Sequence, residues 1–164
     1  MRPRISTVIT SYNRVDDLHR AIRSVMEQTI PSEIIVVDDC SKFDIHEAMA
    51  PYGDKVKAIR PARNGGCAVA RNIGINAASG DYIAFLDDDD YWKPNKTERQ
   101  LETMGDCLMS TCVQEFIPVQ GFNVRPMARL TADYLRQSNP ICGPSGYLCR
   151  HDLLEQVRYD DSLR

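Results

Sequence analysis

The chain has 164 residues, 43% of them hydrophobic and 26% charged, with a net charge of −3 from 20 basic and 23 acidic side chains. That length and composition suit one folded domain with a sizeable core and exclude a disordered chain, and the near-even charge leaves no basic footprint for nucleic acid. No apolar run reaches the length of a membrane span, and residues 5–10 are too few and too polar for a signal-peptide core.

Residues 5–10 are β-branched and read as the first strand. The polar loop Ser11-Tyr12-Asn13-Arg14 follows, and Asn13 or Asp16 is suited to cap the next helix. Val15, Leu18, Ile22, Val25 and Met26 recur at three- and four-residue steps, the spacing of one helical face, until Thr29-Ile30-Pro31 ends the run. Residues 33–37 form a second buried strand and lead into Asp38-Asp39-Cys40-Ser41. Residues 44–50 read as a short helix closed by Pro51-Tyr52-Gly53, and residues 56–59 as a third, weaker strand. Arg63-Asn64-Gly65-Gly66 is a turn, and residues 67–78 are a helix of small side chains ended by Ser79-Gly80. The fourth strand is Tyr82-Ile83-Ala84-Phe85-Leu86, an uninterrupted apolar run of the kind buried on both faces. Pro94 suits the first position of a polar helix that reaches about Met104.

Strands alternating with helices through short loops predict an α/β fold with a mostly parallel central sheet. The second half is less regular. Residues 107–116 read as a strand, 118–126 as a turn or hairpin, 131–137 as a short helix, 139–146 as a loop, 147–150 as a strand and 151–157 as a helix.

The six cysteines, Cys40, Cys67, Cys107, Cys112, Cys142 and Cys149, contain no Cys-x-x-Cys pair. They read as plain buried thiols in a reducing, cytoplasmic setting, with attachment at the inner face of a membrane left open. His19, His46 and His151 show no metal-ligand spacing. His19 and His46 read as surface residues and His151 as a helix-start residue.

The chemistry gathers at strand ends. The fourth strand runs into Asp87-Asp88-Asp89-Asp90 and then Tyr91-Trp92. At the carboxyl edge of an open α/β sheet, where ligands bind, crowded carboxylates repel one another unless a cation fills the site. Hard divalent ions with oxygen ligands, Mn²⁺ or Mg²⁺, fit such a group through one or two carboxylates plus substrate phosphates. The plainer alternative is a solvated acidic loop. Asp38-Asp39 at the second strand end suits hydrogen bonds to a base or ribose, or else a turn and helix cap. Asn64-Gly65-Gly66 offers backbone N–H groups to phosphate, or else simply opens a helix; it lacks the Gly-x-Gly-x-x-Gly and P-loop patterns. Taken together, the three features point to a nucleoside diphosphate held through a divalent cation.

Four blocks then carry a resemblance: Thr7-Val8-Ile9-Thr10-Ser11-Tyr12-Asn13-Arg14; Ile35-Val36-Val37-Asp38-Asp39-Cys40-Ser41; Asn64-x-Gly66 with Ala70-Arg71-Asn72; and the stretch from Gly80 through Asp87-x-Asp89-Asp90 to Trp92. In this order they resemble the family 2 glycosyltransferases. The resemblance implies a GT-A fold, a Rossmann-like three-layer sandwich, and inverting transfer from a nucleotide-sugar donor, UDP-linked, to a glycan or lipid-linked acceptor. It implies that Thr10, Tyr12 and Asp39 line the nucleoside pocket, with Tyr12 near the base and Asp39 accepting from uracil. Arg71 is placed near the donor phosphates, Asp88 toward the ribose and Asp89 toward the metal. Four consecutive acids leave the register open, so Asp87 stays a candidate for one of those roles.

Inversion needs a general base on the acceptor side, and no residue of the chain is assigned to it. Gly143-Pro144-Ser145-Gly146 with Cys149-Arg150-His151 is similar to the segment that precedes the family's base block. The resemblance therefore puts the base beyond Arg164. The expectation is a single domain, residues 1–104 its nucleotide-sugar half and 105–164 the start of its acceptor-side half, cut before the base. Asp160 and Asp161 read as solvated acids. Three rivals stand beside this reading. A haloacid-dehalogenase-type phosphatase needs its nucleophilic Asp at the first strand, which here ends in Thr-Ser-Tyr. A non-catalytic nucleotide-binding module would bind without transfer. A receiver domain needs a late lysine, and none follows Lys96. Sugar, acceptor and oligomeric state are open at this stage.

Overall fold

The computed structural model describes residues 3–115, 123–124 and 143–162. Eight strands are present among them: β1 (Ile5–Ser11), β2 (Ser32–Asp38), β3 (Val56–Ile59), β4 (Tyr82–Asp87), β5 (Met109–Thr111), β6 (Gln114–Glu115), β7 (Asn123–Val124) and β8 (Tyr147–Arg150). The helices are α1 (Val15–Met26), α2 (Ile45–Met49), α3 (Cys67–Ala77), α4 (Lys96–Met104) and α5 (His151–Gln156). Short 3₁₀ segments, Ala50–Lys55 and Pro144–Gly146, precede β3 and β8.

The main sheet runs β3-β2-β1-β4-β8-β5. The first four strands in that order are mutually parallel, and β8 is antiparallel to both β4 and β5. This is the mostly parallel sheet expected. One strand opens the chain in the middle of it: β2 lies on one side of β1 and β4 on the other, so the order reverses at β1, and such a reversal opens a crevice at the carboxyl ends. Register makes those ends level. Thr10 stands beside both Val37 and Asp87, and Ser11 beside Asp38.

Alternate strand residues face two apolar layers. Ile5 and Ile9 of β1 join Val36, Ala84 and Leu86 under α1 and α2, with Trp92 and Met104 of the α4 side. Val8 joins Ile35, Val37, Ile83 and Phe85 under Ala70 and Ile75 of α3, Leu154 of α5 and Tyr159. The result is helix, sheet, helix. At Gly74 a Cβ would stand 2.2 Å from Val8 Cγ1, so only a bare backbone lets α3 settle this close to β1.

A buried glutamine ties α1 to the segment after β4. Gln28 Nε2 donates to Ser24 O and Lys93 O, and its Oε1 accepts from Thr97 N and Oγ1. Ser24 Oγ in turn accepts from Trp92 N at 3.1 Å. These bonds satisfy buried polar groups that would otherwise oppose folding.

The structure corrects several expectations. Neither Asn13 nor Asp16 caps α1; its N-cap is Arg14, with no side-chain cap bond. Asn13 sits in the left-handed region, φ 60°, and is used for loop-to-loop contacts. Met26 leaves the buried face of α1 and is 43% exposed, because the helix ends there and the chain turns to Gln28. Pro94 lies outside α4, which starts at Lys96 behind Asn95; Pro94 O instead accepts Thr29 N. The single strand expected over 107–116 is two short ones, since β5 pairs with β8 while β6 pairs with β7 in a separate two-stranded sheet. Of the cysteines described, only Cys149 is buried; Cys67 and Cys107 are exposed. Other expectations lie outside the described residues: most of the turn or hairpin over 118–126, the helix over 131–137, the start of the loop over 139–146, Cys142, and Arg164, beyond which the general base was placed.

Gly80 begins the turn into β4 under the start of β1. A Cβ there would meet Ser6 N at 2.6 Å, Ile5 C at 2.8 Å and Arg4 O at 2.9 Å, all backbone. Gly80→Ala should therefore lower unfolding free energy by about 1–3 kcal/mol, as overpacking does. Urea denaturation checks this; a change of only a few tenths of a kcal/mol would mean the turn relaxes freely.

Candidate functional site

A cleft of about 310 Å³ opens at the carboxyl ends of β1, β2 and β4. Thr10, Tyr12, Asp39, Arg71, Asp87, Asp88 and Asp89, all seven residues singled out from the sequence, line it together with Arg14 and Cys67.

The three acids on the cleft have different surroundings. Asp87 ends β4, and its Oδ1 accepts from Arg71 Nη2 at 2.6 Å and from Thr10 Oγ1 at 3.2 Å. Asp88 turns inward, only 5% of its side chain exposed; its carboxylate accepts from Tyr12 N at 3.0 Å and Arg14 Nη1 at 2.9 Å. Burial is the strongest influence on Asp88 and lifts its carboxyl above the usual range, against the bonds from Tyr12 and Arg14. Asp89 turns outward, 52% exposed, and accepts from the same Arg14 nitrogen at 2.8 Å. Its exposure makes Asp89 the carboxylate most open to a ligand. Asp90 is not among the residues lining the cleft. Burial first, then the charges of Asp89 and Asp87, lift its carboxyl, while a bond from Ser145 opposes them.

Arginines come to these acids from both layers. Arg71 reaches up from α3, largely buried, with its guanidinium 5.3 Å from the Tyr159 ring centre. Burial works against its charge, but Asp87 outweighs that and holds it more firmly protonated. Arg71 Nε is buried and has no partner among the described residues. Arg20 of α1 donates to Asp89 O at 2.9 Å and packs over the Tyr91 ring.

Asp39 closes the other side. Its Oδ1 accepts from Gly65 N and its Oδ2 from Gly66 N, each at 2.8 Å, and Asn64 Nδ2 donates to Asp39 O. The glycine turn expected to offer amides to phosphate thus gives two of them to Asp39. Gly66, with φ 86°, is the N-cap of α3. The adjoining loops are locked together. Asp38 is fully buried, accepts from Ser41 N and Oγ, and pairs with Arg60 at 3.3 Å. Asn13 N donates to Ser41 Oγ and Asn13 Oδ1 accepts from Lys42 N, both at 2.8 Å. Asn13 and Cys40 both have positive φ, backbone strain held in place by these bonds.

Several residues here carry no local sequence signal. Ser145 is buried beside the end of β4: its Oγ accepts from Asp87 N at 3.0 Å and its carbonyl from Trp92 Nε1 at 2.8 Å. Trp92 is thereby a packing residue, with Lys96 Nζ 3.8 Å from its ring centre, whereas Tyr91 is exposed. Tyr159 is held by Asn72, which bonds both its amide and its carbonyl; Asp161 also accepts from Asn72, so it is not simply solvated. His151 starts α5 as expected and donates from Nδ1 to Gly80 O.

Residues 6–158 match the family model described as glycosyl transferase family 2. The chain belongs to this family. This glycosyltransferase chain is 39% identical over 107 residues to TuaG of Bacillus subtilis, named for teichuronic acid biosynthesis; the match covers 63% of this chain and 42% of TuaG. It is 40% identical over 102 residues to the succinoglycan biosynthesis protein ExoO of Rhizobium meliloti, covering 61% and 29%. The chain thus spans less than half of either relative. Among solved structures it is similar to S. aureus TarS 1-349 in complex with UDP, with a TM-score of 0.75 at 21% identity over 98% of this chain and 51% of that one. It is also similar to the mannosyltransferase PcManGT from Pyrobaculum calidifontis in complex with GDP-Man and Mn²⁺, with a TM-score of 0.70 at 19% identity over 95% and 47%. At those identities the likeness concerns the fold, which is the GT-A fold expected. Family membership also removes the phosphatase rival, in keeping with a first strand that ends in Thr10 and Ser11.

Asp90 gives a pH test with a definite sign. A carboxyl with a raised folded-state pKa stabilises the fold fully below its unfolded pKa of about 3.9, and that contribution is lost as pH rises through the folded pKa. Asp90→Asn keeps the shape without the charge. In metal-free buffer it should stabilise the protein relative to wild type at pH 7, with the gain shrinking toward pH 4. Equal effects at the two pH values, read from urea denaturation, would show that the charge of Asp90 is not what strains the loop.

Proposed function

We propose that the chain forms the donor side of an inverting glycosyltransferase that moves a sugar from a nucleoside-diphosphate carrier, UDP in the first place, to a glycan or lipid-linked acceptor. The observation that carries this reading is the convergence of three separate strand ends on one cleft with two zones. One zone, around Tyr12 and Asp39, offers an exposed ring and a carboxylate fixed on two backbone amides. The other, around Asp87 to Asp89 and Arg71, offers carboxylate oxygens beside a guanidinium. TarS with UDP and PcManGT with GDP-Man support a nucleotide ligand of this kind, and TuaG and ExoO support a polysaccharide setting.

The donor chemistry suits Mn²⁺ or Mg²⁺. Among the described residues no three acidic, histidine or cysteine side chains are arranged to hold a metal. The chain would therefore supply Asp89, with Asp87 or Asp88 adjacent, and the diphosphate would supply other oxygens, as hard divalent ions allow. When bound, the ion stabilises the negative charge of the departing diphosphate as a Lewis acid. Tyr12 would stack on the base, and Asp39 would accept from the base N–H. Asp88, its orientation fixed by the Tyr12 amide, would face the ribose. Arg71 contributes a permanent positive charge, and its unpartnered Nε is a donor suited to a phosphate oxygen. Asp87 keeps that guanidinium oriented. The cleft acids are thus committed to the donor, and the base that deprotonates the acceptor hydroxyl is assigned to none of them.

Calorimetric titration with UDP, once with Mn²⁺ and once with EDTA, tests the reading. Binding that strengthens with the metal is expected; no binding in either condition would sink it. Asp89→Ala should abolish the metal effect while leaving the fold intact, and a surviving metal effect would remove Asp89 from the site. Asp39→Asn should weaken uridine and UDP alike by about tenfold, the loss of one charged hydrogen bond, with or without metal. Unchanged affinity for uridine would take Asp39 out of the base pocket. Binding of UDP with no sugar transfer from UDP-sugars would favour the non-catalytic module.

A further inference from the structure

The acids of the cleft are not left bare. One nitrogen, Arg14 Nη1, lies 2.9 Å from Asp88 Oδ1 and 2.8 Å from Asp89 Oδ2. A single positive centre thus bridges two adjacent carboxylates, which is what a small cation would do. The backbone beneath it is fixed: Arg14 is the N-cap of α1 and follows Asn13, which is clamped to Ser41 and Lys42. The side chain itself is half exposed and long, so it can withdraw into water with little disturbance of packing. The other nearby arginines are otherwise engaged, Arg71 with Asp87 and Arg20 with Asp17 and the Asp89 carbonyl.

A metal ion on Asp89 Oδ2, the oxygen that Arg14 Nη1 holds at 2.8 Å, would lie no more than about 5 Å from that nitrogen, given metal–oxygen distances near 2.1 Å. At that range the repulsion between a divalent ion and a guanidinium is comparable with the attraction within the exposed Arg14–Asp89 pair, whose net worth is small. The two cations therefore compete for Asp89 Oδ2.

We propose that Arg14 is a positioning residue that stands in for the divalent cation: it holds Asp88 and Asp89 together in the metal-free protein and must leave Asp89 before a metal ion binds, so that it sets the metal affinity of the donor site. This rests on the donor-site reading above. The incoming diphosphate favours the exchange, because it brings oxygen ligands for the metal and an alternative anion for the guanidinium. Arg14 thereby couples the two ligands, making metal binding weak alone and stronger with the nucleotide, and the coupling is reciprocal.

The experiment is Mn²⁺ titration followed by the electron paramagnetic resonance signal of the free ion, with and without UDP, on wild type, Arg14→Gln and Arg14→Lys. Thermal melting in EDTA runs in parallel. Without UDP, Arg14→Gln should bind Mn²⁺ about tenfold tighter than wild type, from removal of a competing cation. Arg14→Lys should stay near wild type, since it restores the competitor. With UDP present the gap should narrow. The melting temperature of Arg14→Gln should fall in EDTA and recover with Mn²⁺. If wild type binds Mn²⁺ and Arg14→Gln binds it no tighter, the proposal is overturned. It is equally overturned if Arg14→Gln loses affinity for UDP in EDTA with Mn²⁺ affinity unchanged, which would make Arg14 a phosphate ligand. Failure of wild type to bind Mn²⁺ with or without UDP would be a different result: it would overturn the metal reading of the cleft, and this proposal with it.

Discussion

Like charge is the constraint around which this molecule is arranged. Four aspartates follow one another at the end of β4, and three of them face the same cleft. Left alone they would repel one another and resist burial. The fold answers with arginines drawn from different places: Arg14 ahead of α1, Arg20 on α1 and Arg71 on α3, across the sheet. Because α1 and α3 belong to opposite helical layers, this compensation also joins the layers at the carboxyl edge. Beneath that edge each layer packs on its own face of the strands through apolar side chains.

A second network fixes the other side of the cleft and has a different character. Around Asp38 and Asp39 the partners are mostly backbone amides and hydroxyls, and Asp38 is sealed from solvent beside Arg60. These bonds hold two residues, Asn13 and Cys40, at positive φ and keep three loops in one relation. The Asp39 side of the cleft is thereby held by short, backbone-anchored bonds, whereas on the acid side Asp88 and Asp89 share the long, half-exposed side chain of Arg14. The donor-site proposal, which asks one cleft to admit a small ion and a large donor, fits that division.

Much of this is legible in the sequence because it rests on local pattern. The unbroken apolar run 82–86 declares a strand buried on both faces, and the helical spacing of Leu18, Ile22 and Val25 declares the buried face of α1. Acids directly after β2 and β4 fall on one edge by alternation alone. What escapes is long-range pairing. Arg14 and Asp88 are 74 positions apart, and nothing near Arg14 names its partner. Ser145 meets Asp87 across 58 positions from a loop whose composition announces only a turn. The glycine turn reads as a phosphate cradle because its own amides look free; Asp39, 26 positions before Gly65, engages them. Residues 107–116 mislead for another reason. A run of strand-prone residues does not say how many sheets it serves, and here β5 and β6 pair with different partners.

Gly74 and Val8 occupy, in effect, a single shared volume, 66 positions apart in the chain. That volume fixes the height of α3 above the sheet. Arg71 lies one turn before Gly74 on the same helix, so the same height fixes how far its guanidinium extends toward Asp87. Bulk added at 74 would demand bulk removed at 8, or the helix would rise and carry the charge away from the acids. Two apolar positions remote from any ligand would then covary with each other on behalf of an ion pair neither of them touches.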